Sequence, residues 1–68
     1  MARQIAIREE YLKQCDEATL QAVLKMLSKE FLLLPLDDYC IEVAEQDYAA
    51  VSNVLEGLRR EVELNNEI

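Results

Sequence analysis

Between Asp38 and Leu64 apolar residues recur in steps of three and four: Ile41, Ala44, Tyr48, Val51, Leu55, Leu58 and Val62. That spacing lays all seven on one stripe of an α-helix, the kind of stripe along which helices meet in a coiled-coil-like seam. The pattern predicts a helix over about 38–64. A second, weaker face of the same helix carries Val43, Ala50, Val54 and Gly57, small residues that would let another helix approach closely.

Residues 8–34 are rich in Leu, Lys, Gln, Glu, Met and Ala, all good helix formers, and predict an earlier helix. Its apolar positions form two stripes. One runs through Leu20, Val23 or Leu24, Leu27, Phe31 and Leu34, the other through Leu12, Cys15, Ala22, Met26 and Leu33. The run Asp16-Glu17-Ala18-Thr19 has the form of an N-cap and first turn, so the helix either restarts there or carries Asp16 as a solvated residue. Pro35 disfavours helical geometry at Leu34 and lacks a backbone donor, which places a turn at 35–37. Asp37 then suits an N-cap, with Leu36 and Ile41 as its hydrophobic staple.

Two stretches admit a strand. MARQIAI alternates at Ile5 and Ile7, which fits a short intermolecular strand as well as a fraying helical turn. Cys40 to Ala44 also alternate, as a strand would ahead of a helix capped at Asp47; the seven unbroken seam positions favour one helix instead. The expected fold is therefore all-α: a single domain over 1–68 forming an antiparallel two-helix hairpin, with helices at about 8–34 and 38–64. In that hairpin Ala44 meets Leu27, Tyr48 meets Val23 and Val51 meets Leu20.

Such a hairpin buries only one stripe of the first helix. Leu12, Cys15, Ala22, Met26 and Leu33 would face water beside Val43, Ala50 and Val54, and these eight residues are the expected dimer or partner interface. Two hairpins packing there would form a two-fold four-helix bundle. Chain length points the same way, because 68 residues bury little apolar surface alone.

Charge narrows the choice of partner. The net charge is −7, yet residues 1–34 hold five basic and five acidic side chains, so the whole excess lies in residues 35–68. That half repels nucleic acid and anionic membranes and suits a basic partner. Asp37, Asp38, Glu42, Glu45 and Asp47 stand together without a counter-charge and form the expected acidic docking patch. The longest apolar run, residues 31–36, is far too short to span a bilayer. The N-terminus lacks a signal-peptide core, so the expected location is cytoplasmic.

Candidate chemistry is sparse. There is no His and one Gly, which excludes His-based triads, imidazole zinc sites and glycine-rich phosphate loops. Cys15 and Cys40 lack CxxC spacing and read as small buried hydrophobes. No catalysis, cofactor or metal is expected. The functional expectation is a small acidic protein–protein interaction module, an adaptor or regulator that pairs with itself and binds another protein. The alternative is a ribbon-helix-helix-like DNA-binding or antitoxin-type protein that would use MARQIAI as its strand; the charge, the over-long first helix and the missing glycine turn count against it.

Overall fold

The computed structural model describes residues 1–66 and builds them around a three-stranded antiparallel sheet. Strand β1 (Ala2–Ala6) runs directly into a single helical turn, α1 (Ile7–Glu10). Helix α2 (Glu17–Glu30) follows, then strand β2 (Leu33–Pro35), a 3-10 turn at Asp37–Tyr39, strand β3 (Cys40–Ala44) and the long helix α3 (Glu45–Asn66). The strand order is β1-β3-β2, so β3 is central.

The sheet overturns the all-α hairpin and, with it, the four-helix bundle. The physical reason lies at residue 41. Ile41 is fully buried, as the helical stripe requires, but it reaches the core from a strand in which Ile41 and Val43 point inward. Helical period and strand alternation agree at Ile41 and diverge at the next two positions. Val43 is inside, whereas Ala44 faces the other side of the sheet. From Glu45 onward the helical pattern holds, with Val51 and Leu55 buried and Tyr48, Leu58 and Val62 packed against the core.

The first helix is likewise shorter than expected. Asp16 is an N-cap, its Oδ1 accepting from the Thr19 N–H at 2.9 Å, so the helix starts afresh at Glu17. It stops at Glu30 instead of 34, because Phe31 is already extended and Pro35 belongs to a strand. Of the expected helix ahead of it only the single turn α1 is helical, and residues 11–16 interrupt the run. The turn sits at Asp37–Tyr39 rather than 35–37, and Asp37 caps no long helix.

The core is one cluster. Ile5, Ile41 and Val43 from the sheet meet Leu20, Val23 and Leu27 of α2 and Val51 and Leu55 of α3, with Ile7 and Leu12 closing one end. Both long helices thus cover the same face of the sheet. Among the described residues no helix lies on the opposite face.

Candidate interaction surface

Cross-strand pairs share a face, and the registers assign every sheet residue to one side or the other. Ile5 pairs with Ile41, Arg3 and Leu33 flank Val43, and Pro35 pairs with Ile41; these point toward the helices. Ala2 and Ala44, Gln4 and Glu42, Ala6 and Cys40, and Leu34 opposite Glu42 therefore point outward. Leu32 and Leu36, two residues either side of Leu34, continue the same alternation. Exposure follows this pattern, at 90% for Leu32, 55% for Leu34 and 38% for Leu36.

The open face is thus a column of three leucines along β2 beside small side chains of β3 and β1. Glu42 is its central ionisable group and is half-buried. Met1, Ala2, Ala44, Glu45 and Gln46 form a shallow depression at one end. Asp37 lies exposed at the other, beside the turn. Apolar exposure on this scale, contiguous and rimmed by carboxylates, is what distinguishes a contact surface from scattered surface leucines.

The residues expected to form a dimer or partner interface are dispersed. Leu12 and Val43 are buried in the chain's own core, and Leu33 and Val54 are half-buried against it. Cys15 is also half-buried against the core. Ala22, Ala50 and Met26 remain exposed. Ala22 and Met26 share a shallow apolar groove with Ala18, Thr19, Val23 and Leu58 between α2 and α3.

The five acidic residues are dispersed as well, since the helical face that would have gathered Asp38, Glu42 and Glu45 is a strand. Asp38 accepts from Arg8 at 3.0 Å. Glu45 lies 3.9 Å from the Met1 amino group. Asp47 is half-buried on α3. Asp37 and Glu45 mark opposite ends of β3, with Glu42 between them.

A second concavity, about 200 Å³, lies between the α1 end and the C-terminal part of α3. Lys13 and Arg59 both line it, and Arg59 is engaged by two carboxylates, donating to Glu56 and, at 2.8 Å, to Glu63. The hydrogen bond to Arg59 holds the Glu56 carboxyl below its usual range, and Glu56 in turn raises the Arg59 guanidinium. This is a surface ion-pair network on a helix, not a poised charge. Among the described residues no group of three or more Cys, Asp or Glu stands close enough to hold a metal ion, and both cysteines are free thiols. Among the same residues no helix is long and apolar enough to cross a membrane.

The leucine column was the signal that sequence reading missed. Leu32, Leu34 and Leu36 alternate with period two, but residues 31–36 form an unbroken apolar run, which hides alternation until the strand is known. Comparison with known protein families, curated proteins and solved structures finds no match to this chain.

Proposed function

We propose that this chain is a protein-binding module whose docking surface is the open face of its sheet. The observation that carries the reading is the leucine column, Leu32, Leu34 and Leu36, standing in water beside Cys40 and Ala44 with only Glu42 as a central charge. Burying exposed leucine is worth about 1.5–3 kcal/mol per side chain, so even part of this column gives a partner a substantial anchor. Glu42, Asp37 and Glu45 then set the preference for a partner with an apolar centre and basic groups at its margin.

The DNA-binding alternative draws its support from β1 alone. The net charge of −7 counts against it, and the guanidinium of Arg3, the cation on that strand, lies 4.0 Å from the Tyr48 ring centroid on the helix side of the sheet.

The test is a paired substitution. Leu32→Glu with Leu34→Glu places two charges on the open face and removes no core contact, so circular dichroism and thermal unfolding should stay close to wild type. A partner identified by crosslinking and confirmed by titration of purified components should lose binding at least tenfold. Leu64→Glu, on another exposed apolar residue, serves as control. Undiminished binding by the double variant would overturn the proposal.

A further inference from the structure

The two edges of the sheet differ in how they treat a further strand. In an antiparallel ladder, residues that exchange main-chain bonds alternate with residues whose N–H and C=O point away. Leu36 N–H donates to Cys40 O at 2.7 Å, which sets the phase of the β2–β3 pair. By that phase Leu34 is bonded inward to Glu42, and Leu33 and Pro35 turn their main-chain groups outward. Pro35 has no N–H to offer there. A proline on the outward position of an edge is a standard block to strand addition.

The other edge has no such block. Glu45 N–H donates to Met1 O at 3.0 Å, so Arg3 and Ile5 are bonded inward to β3 while Ala2, Gln4 and Ala6 turn outward. None of the three is proline or charged. Among the described residues only the Ala6 N–H has a partner on that side, the Glu10 carboxylate at 3.3 Å. Five residues of regular strand therefore end in an unprotected edge, a template for another strand.

We propose that this edge pairs with the β1 edge of a second copy, antiparallel about a two-fold axis at Gln4, giving one continuous six-stranded sheet. The pattern is self-complementary. Gln4 meets its own counterpart with both main-chain groups outward, and Ala2 meets Ala6, so all five residues pair and about six main-chain bonds form. The neighbouring register, centred on Arg3, sets two guanidinium groups directly opposite each other and is disfavoured. Side chains at the new seam on the open face are Ala, Gln and Ala, and the two Gln4 amides face each other as donor and acceptor. Pairing displaces Glu10 from Ala6, so Glu10 competes with the second copy for that donor.

The contact is small in apolar area, so the dimer is of the weak class and is read at high concentration. Sedimentation of the full chain from about 10 µM to 1 mM should show a monomer–dimer equilibrium. Gln4→Pro removes a donor that β3 does not use and should raise the dissociation constant roughly tenfold or more, with the helical signal retained. Glu10→Ala frees the Ala6 N–H and should tighten the dimer. A charge swap guards against misfolding: Gln4→Lys and Gln4→Glu should each be monomeric alone and associate one-to-one when mixed. A wild-type monomer throughout that range would overturn the proposal. So would a dimer indifferent to Gln4→Pro, or folded Lys and Glu variants that fail to associate on mixing.

Discussion

Arg8 Nη1 donates to Asp38 Oδ1 at 3.0 Å, joining the turn that follows β1 to the turn between β2 and β3 across thirty residues of sequence. The Arg8 guanidinium also lies 5.2 Å from the centroid of the Tyr39 ring. Both of its partners have left-handed backbone, Asp38 at φ 53° and Tyr39 at φ 60°. One cation thus holds two residues in a conformation that L-residues avoid. A surface ion pair of this kind contributes little by itself; its value is to fix the tight turn on which the β2–β3 register depends.

Substitution at Asp38 separates backbone from charge. Asp38→Gly and Asp38→Val both lose the Arg8 contact, but Gly accepts the left-handed region and a β-branched residue does not. The Val variant should be the less stable of the two by about 1–2 kcal/mol, read as a difference in urea midpoint. Equal midpoints would show that the turn does not hold its left-handed residues in solution.

This turn also explains why the hairpin was illegible in sequence. A two-strand connection announces itself through Gly or Asn-Gly, and here the chain turns on Asp-Asp-Tyr with no glycine. Asp37 and Asp38 ahead of an apolar stripe looked like a helix start for the same reason that they suit a turn: short acidic side chains serve both. What the sequence did carry was the inward stripe of each helix. Leu20, Val23 and Leu27 of α2, and Val51 and Leu55 of α3, are buried where the 3.6-residue period puts them. The N-cap at Asp16 was visible, as were strand readings of MARQIAI and of Cys40 to Ala44; a longer helical periodicity outweighed the second of these. The surplus apolar face that argued for a bundle was in large part core for a sheet. Leu12 and Val43 went inside, whereas Leu32, Leu34 and Leu36, none of them in that expected interface, are exposed.

Gly57 offers a gain in stability. It lies inside α3, is exposed, and a Cβ placed there meets nothing within 4 Å. Gly57→Ala should raise stability by about 1 kcal/mol through backbone entropy alone, seen as a higher thermal midpoint. A lower midpoint at high protein concentration, absent on dilution, would instead place another chain against this position.

Acid sensitivity should trace in part to Asp16. Its carboxyl is held below the usual range, first by the hydrogen bond with Thr19. A folded pKa below the unfolded one means that the ionised cap stabilises fully above the unfolded value, near pH 3.9. That stabilisation is lost as pH falls through the lower folded value. Asp16→Asn keeps an acceptor for the Thr19 N–H but cannot titrate. Wild type should exceed the Asn variant in stability at pH 7, and the gap should narrow at an acid pH below the unfolded value. A gap of the same size at both pH values would place the effect in the geometry of the cap rather than in its charge.

The edge asymmetry gives the sharpest prediction. Pro35 removes an outward donor from β2 between Leu34 and Leu36, two exposed apolar residues. Pro35→Val restores that donor and adds a β-branched side chain, leaving a flat apolar edge with nothing to stop pairing. By the pairing proposed above, the wild-type sheet would grow through β1 only and close as a dimer. The Val variant can grow through both edges, and repeating contacts that do not close run on as a ribbon. The apparent mass from light scattering should therefore keep growing with time and concentration in Pro35→Val, whereas in wild type it should be constant in time and never exceed that of a dimer. Adding Gln4→Pro to Pro35→Val blocks the β1 edge again, so assembly should stop at a dimer joined through β2. A double variant that still formed large assemblies would mean that the open face, rather than the two strand edges, drives association.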